Sequence, residues 1–394
     1  MESTAQSRGK FGAGSLPDTG QEVSYHLSGL PQSLDRVRAR RPLLVLDRGA
    51  VAAAGIEAEL HALLSGCELV EFTGFAPNPK SEHVLAAANA MREHGADIVV
   101  AIGGGSCMDV AKVAAVASQA GEWMEAVTRG DTSDAAGGLP VVAIPTTSGT
   151  GSEATHFAAI YVDRRKVSVA HPAMRPQSVL LDARLHLAMP PRLAAETGLD
   201  ALAQSLESLW AVGSTAESLV FAQAAAQLVS VSLRESVLRG SEAARRDMML
   251  GAHLAGQAIN LGKTTAAHAL SYALTQGYGI AHGHAVALTL GHVGAMNHAL
   301  DESDCLDPRG AEHVQAQVNS AARCLGSSPM ELGPTVSHLL KELHLPGNLR
   351  DTGVPREDLP ALAIAADPVR LGNNPRRLSH DLTLRILENA WDCG

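Results

Sequence analysis

The stretch Ile98-Val99-Val100-Ala101-Ile102-Gly103-Gly104-Gly105-Ser106-Cys107-Met108-Asp109-Val110-Ala111-Lys112 sets the architecture of the chain. Five consecutive apolar residues read as a strand covered on both faces, the habit of a parallel sheet. Glycines follow at once and open onto a helical pattern. At such a turn the missing side chains let the backbone approach a phosphate, and the helix start supplies unpaired N–H donors with partial positive charge. Gly103, Gly104, Gly105 and Ser106 are therefore candidate pyrophosphate contacts; a tight turn without a ligand is the plain alternative.

The pattern continues outward on both sides. Leu43 to Leu46 reads as a strand, Val51 to Leu64 as a helix, Glu68 to Phe72 as a strand and Ser81 to His94 as a helix. Beyond the turn come a strand at Leu139 to Ile144, a hairpin of Phe157 to Asp163 and Lys166 to Ala170 around Arg164 and Arg165, and a strand at Ser178 to Asp182. Short apolar runs spaced by helices predict a doubly wound α/β domain over 21–187, whose ligands sit beyond the carboxyl ends of the strands. Asp47 falls at one such end, where a carboxylate suits an adenosine ribose or a simple turn. Asn78, between Pro77 and Pro79, is expected in an extended turn. Pro145 to Glu153 contains five hydroxyls and two glycines, with Thr146, Thr147 and Thr150 as candidate donors to a ribose, a phosphate or an amide.

From Pro190 the texture changes to Ala, Leu, Ser and Glu with apolar residues at three and four, which predicts an all-helical domain over 188–394. Asp200, Gln204 and Glu207 share one helical face there. Lys263 to Leu288 is small and apolar yet holds His268, His282 and His284, a setting that keeps imidazoles neutral and able to ligate a metal. Asn373-Asn374-Pro375-Arg376 reads as a rigid polar turn, most simply the start of the last helix. Residues 1–20 read as a flexible leader and Gly130 to Gly138 as a flexible polar insert.

Composition narrows the partners. A net charge of -10 argues against a nucleic-acid backbone as ligand, and the short basic run Arg36 to Arg41 reads as a solvated face. Five scattered cysteines, Cys67, Cys107, Cys305, Cys324 and Cys393, fit neither a zinc ribbon nor a disulfide framework and suit a reducing compartment. The N-terminus lacks the apolar core of a signal peptide, and no segment reads as long and apolar enough to span a membrane. A cytoplasmic homodimer is the expectation.

Taken in order, Gly-Gly-Gly-Ser-x-x-Asp-x-x-Lys at 103–112, Pro-Thr-Thr-x-Gly-Thr-Gly-Ser-Glu at 145–153, Asp-Ala-Leu at 200–202, His268 and His-Gly at 282–283 resemble the iron-containing (group III) alcohol dehydrogenase family. The resemblance implies a dinucleotide-binding domain, a helical domain and a divalent metal, with NAD(H) or NADP(H) as cofactor. It places Asp200, His268 and His282 at metal-ligand positions, and Asp109 and Lys166 at further cofactor positions. Gln204 stands where the iron enzymes usually carry a fourth ligand, a histidine. Gln is a neutral oxygen donor, so Fe2+ is favoured but zinc, or a three-residue site completed by water, stays open. Tyr272 replaces a histidine that often helps move the alcohol proton, and with His282 it is the candidate catalytic residue. Asp47 favours NAD over NADP, although Arg48 beside it offsets that charge.

Within the family, the wording of 264–272, 282–288 and 373–376 is most similar to phosphonoacetaldehyde reductases, which implies reduction of phosphonoacetaldehyde to 2-hydroxyethylphosphonate. A phosphonate needs cations, and Lys263, His284, Arg165 and Arg376 are the candidates. The alternatives are a dehydrogenase for another aldehyde or alcohol, a lyase of the dehydroquinate synthase type and a non-catalytic binding protein.

Overall fold

The computed structural model describes residues 18–120, 123–128, 137–163 and 165–393. Most of the expected leader, most of the 130–138 insert and Arg164 at the hairpin tip lie outside the described residues. The chain divides into two compact units, Met1–Met189 and Pro190–Gly394.

The first unit runs β1 (Glu22–Ser24), α1 (Leu30–Arg36), β2 (Pro42–Leu46), α2 (Arg48–Ala54), α3 (Glu57–Leu63), β3 (Val70–Phe72), α4 (Ser81–His94) and β4 (Ile98–Gly103). It continues through α5 (Gly105–Ala117), α6 (Trp123–Thr128), β5 (Val141–Pro145), β6 (Phe157–Val162), β7 (Arg165–Ala170), β8 (Ser178–Leu180) and α7 (Arg184–Leu187). Six strands form one parallel sheet in the order β1-β8-β5-β4-β2-β3, and β6 pairs with β7 as a separate antiparallel hairpin. The central strands β2, β4 and β5 are buried along their whole length. Alternation explains why: Leu43, Val45, Val99 and Ala101 join the core formed with α4 and α5, whereas Leu44, Leu46, Val100 and Ile102 join the core on the opposite face. Both faces need apolar residues, so the sequence runs apolar without a break.

Two details depart from the sequence reading. The expected helix Val51 to Leu64 is two short helices, because Gly55 adopts a left-handed conformation (φ 67) that caps α2. A strand that was not expected, β1, pairs with β8 at the sheet edge.

Lys112 fastens the long loop after β5 to α5. It is fully buried, and its Nζ donates to Ser152 O (2.8 Å), Thr155 O (3.3 Å), Thr155 Oγ1 (3.1 Å) and Phe157 O (2.5 Å). Burial pulls its pKa down to about 8, with Asp109 working in the opposite direction. Lys112→Met would keep the apolar stem but strand these acceptors, so it should lower stability by about 3 kcal/mol. Urea unfolding of the variant against the parent measures this.

The second unit is helical: α8 (Pro191–Trp210), α9 (Ala216–Leu238), α10 (Glu242–Gly262), α11 (Ala266–Tyr278), α12 (His282–His298), α13 (Ala311–Cys324), α14 (Leu332–Glu342), α15 (Leu359–Ile364), α16 (Pro368–Gly372) and α17 (His380–Asp392). Its hub is α8, buried continuously from Gly198 to Trp210 and packed by α9, α10, α12 and α13. One expectation needs correcting here. Helix α9 is long and apolar enough to cross a membrane, with a mean hydropathy of 1.3 over its most apolar window, but 56% of that window is buried inside the protein against α8 and α10. Its apolarity serves the core.

Candidate active site

In the first unit the carboxyl ends of three adjacent strands form one cradle. Asp47 N–H donates to Ile102 O (2.9 Å) and Thr146 N–H to Gly103 O (3.0 Å), so the turns after β2, β4 and β5 are tied together. A Cβ on Gly105 would lie 2.7 Å from Thr150 Cγ2, which is why glycine is needed for the 146–150 loop to close on the start of α5. Gly103, Gly104, Gly105, Ser106, Thr146, Thr147 and Thr150 therefore converge as the sequence suggested, with the N-terminus of α5 among them.

Three other cofactor candidates, Asp47, Asp109 and Asn78, have these settings within the chain. Asp47 Oδ1 accepts from Ala50 N–H (3.1 Å) and so caps α2, the plainer of its two readings. Asp109 uses both oxygens internally, accepting from Ser152 Oγ (2.7 Å) and Ala159 N–H (2.9 Å); it shapes the cradle. Asn78 is exposed and left-handed (φ 57) rather than extended, a conformation asparagine tolerates. Lys166 is half-buried on β7, and Arg48 pairs with Glu71 (2.5 Å).

In the second unit α8, α11 and α12 bring Asp200, His268 and His282 together. One ligand atom from each lies within 4.8 Å of the others, Asp200 and His268 being buried and His282 half-buried. His268 Nε2 is 3.3 Å from Asp200 Oδ1, and its Nδ1 hydrogen-bonds Glu207 Oε2. Burial disfavours a charged His268, but the Glu207 and Asp200 carboxylates outweigh it and push the ring up to about 9. Burial likewise opposes charge on Asp200, yet hydrogen bonding to His268, with help from His282, holds its pKa below the usual value. Ser271 Oγ donates to His268 O (2.8 Å) and lies 3.3 Å from His282 Nδ1, from which it can accept when that nitrogen carries the proton, leaving the Nε2 lone pair for a metal. The two carboxylates thus favour a charged His268 rather than the neutral imidazole expected from the sequence; a divalent metal would displace that proton, and two imidazoles with an ionised carboxylate are then a donor set that fits it. Gln204 is buried one turn along α8 and hydrogen-bonds Asp200.

The N-terminal part matches the model of the iron-containing alcohol dehydrogenases over residues 21–183, and the C-terminal part that family's C-terminal model over 194–391. The chain belongs to the iron-containing alcohol dehydrogenase family. It is an oxidoreductase of the alcohol dehydrogenase and aldehyde reductase class. Among its relatives is a phosphonoacetaldehyde reductase of Streptomyces viridochromogenes, 37% identical over 332 residues, which cover 79% of this chain and 82% of that protein. A lactaldehyde reductase of Escherichia coli is 30% identical over 371 residues, covering 93% and 96%. The crystal structure of a sulfoacetaldehyde reductase from Bifidobacterium kashiwanohense in complex with NAD+ superposes with a TM-score of 0.83 at 26% identity, covering 97% of this chain and all of that one.

Beside the ligand trio stands a residue whose role the sequence reading missed. Glu207, fully buried, was noted only for its place on the Asp200 face. Its Oε1 accepts from Thr265 Oγ1 (2.6 Å), Thr265 N–H (3.2 Å) and Ala267 N–H (3.0 Å), so it caps α11 while Oε2 orients His268. The i+7 spacing from Asp200 was the available signal.

Tyr272, one turn after His268, stacks on the His282 ring (centroids 5.9 Å apart, 19° between planes). Burial raises its pKa, partly offset by Arg370, so the phenol is neutral at physiological pH.

Two of the four expected substrate cations, His284 and Arg376, need correction. His284 is buried and hydrogen-bonded to Pro346 O (2.8 Å); burial lowers its pKa, so it offers no charge to an anion. Arg376 pairs with Asp304 (2.7 Å) and donates to Met296 O (2.8 Å). Its neighbours clasp the fold too, with Asn374 and Asn297 exchanging amide hydrogen bonds, and α17 begins only at His380, so 373–376 is not a helix start. Arg165 is exposed on the first-unit hairpin. Lys263 is exposed at a strained corner (φ 60), its flanking carbonyls, Gly262 O and Thr264 O, both held by Asn373 Nδ2.

Proposed function

We propose that this chain uses NAD(P)H to reduce phosphonoacetaldehyde to 2-hydroxyethylphosphonate. The observation that carries the reading is the buried convergence of Asp200, His268 and His282 in a chain of this family. A divalent metal held by these three would supply Lewis acidity at the aldehyde oxygen. The cradle of Gly103 to Ser106 and Thr146 to Thr150 suits a dinucleotide, and a structurally similar relative was crystallised with NAD+. Tyr272 keeps its proton and stands against His282, so its hydroxyl can supply the proton that the product alcohol requires. The relative that names phosphonoacetaldehyde supports the substrate.

Bound iron and zinc should be measured on the purified protein, and NADH and NADPH oxidation followed with phosphonoacetaldehyde, sulfoacetaldehyde, lactaldehyde and propionaldehyde. The expected result is one divalent ion per chain and the highest kcat/KM on phosphonoacetaldehyde. Metal-loaded protein that favours lactaldehyde or propionaldehyde would sink the substrate assignment.

A further inference from the structure

His284 and Arg376 are engaged with other partners, yet a cation that was not expected from the sequence contacts a catalytic side chain. Arg370 lies on α16, which packs on α11. The segment is fastened there: Asp367 N–H donates to Ala269 O (3.2 Å), Arg370 N–H donates to Asp367 Oδ1 (2.8 Å), and Asn373 holds the carbonyls on either side of Lys263. The Arg370 side chain hydrogen-bonds Tyr272. A guanidinium can only donate, so the phenol oxygen accepts and the phenol O–H remains a donor. Since the Tyr272 ring lies on His282, and His282 stands 5.5 Å from His268 between ring centroids, Arg370 is one phenol away from the ligand trio.

We propose that Arg370 selects the substrate by binding a tetrahedral oxyanion, phosphonate or sulfonate, carried one methylene away from the aldehyde carbon. The inference rests on reduction of an anionic aldehyde and names the residue responsible for it. A guanidinium presents a planar fork of N–H donors that matches such oxygens and stays charged at every working pH. The Asp367 carboxylate beside it accepts a backbone N–H, which fixes the α16 turn. In a partly buried site the charge-assisted pair is worth about 10- to 100-fold in binding.

The test compares kcat/KM for phosphonoacetaldehyde, sulfoacetaldehyde and neutral propionaldehyde in metal-loaded parent, Arg370→Gln, Arg370→Lys and Tyr272→Phe proteins. Arg370→Gln should lower the anionic-to-neutral ratio about 10- to 100-fold, through KM of the anionic aldehyde. Arg370→Lys should recover part of the ratio because it keeps charge without the fork. Tyr272→Phe removes the phenol hydroxyl but no charge, and should leave the ratio standing. Of the two anions, the one whose ratio falls further in Arg370→Gln is the oxyanion recognised. A strong parental preference that survives in Arg370→Gln, or a fall in kcat shared equally by all three aldehydes, overturns Arg370 as the selector and leaves the substrate reading intact. A parent without preference for either anion overturns both.

Discussion

A Glu207→Ala protein should bind divalent metal 10- to 100-fold more weakly than the parent and be less stable by about 3 to 5 kcal/mol. The side chain is fully buried and serves two elements at once. Through Oε1 it satisfies the first N–H groups of α11, donors that have no partner within the helix. Through Oε2 it faces His268 Nδ1, so the ring presents its other nitrogen, Nε2, to Asp200. Removing it leaves Thr265 and Ala267 donors buried without a partner and lets the imidazole turn. Glu207→Gln separates the effects. The amide oxygen can still cap α11, so most of the stability should return, but the amide N–H would confront His268 Nδ1–H and metal affinity should stay low. Chelator competition gives the affinity and urea unfolding the stability. Parent-like metal affinity in Glu207→Ala would show that packing alone orients His268.

Glu207 also marks where sequence reading stops. The Gly103 turn and the paired apolar strands were legible, because a phosphate cradle and a strand covered on both faces need particular residue types at fixed local spacings; Asp200, His268 and His282 lie far apart in sequence and were picked out as a ligand set by the family resemblance. What a buried polar residue bonds to is set by tertiary packing. Glu207 finds its partners about sixty positions along the chain, and His284 and Arg376 were misread because Pro346, Asp304 and Met296 are equally remote in sequence. Arg370 sits on a five-residue helix just ahead of the 373–376 motif and outside it, and the packing of α16 on α11 brings it to Tyr272. β1 escaped for another reason: three half-buried residues at a sheet edge give no run long enough to show a period.

The second large effect is expected from the glycine that follows His282. Its position is a close approach between α12 and α8: a Cβ built on Gly283 would fall 1.9 Å from Glu196 O, 2.9 Å from Asp200 N and 3.0 Å from Asp200 Cβ. All three are backbone or Cβ atoms within α8, with no flexible side-chain tip that could swing aside. Gly283→Ala must therefore push the helices apart, and because Asp200 and His282 flank this contact, their separation has to grow. Overpacking of this kind costs about 3 kcal/mol, and misplacing a ligand by about 1 Å costs on the order of 100-fold in kcat/KM. Gly277→Ala is the control. That glycine, also in the second unit, has nothing within 4 Å of its built Cβ, so alanine there should be neutral or slightly stabilising. If Gly283→Ala retained parental activity and metal content, the α8–α12 contact would have to open without moving Asp200 from His282. The pairing of histidine with glycine at 282 and 283 would then be independent of metal geometry; the geometry argues that the glycine is there so that the histidine can reach.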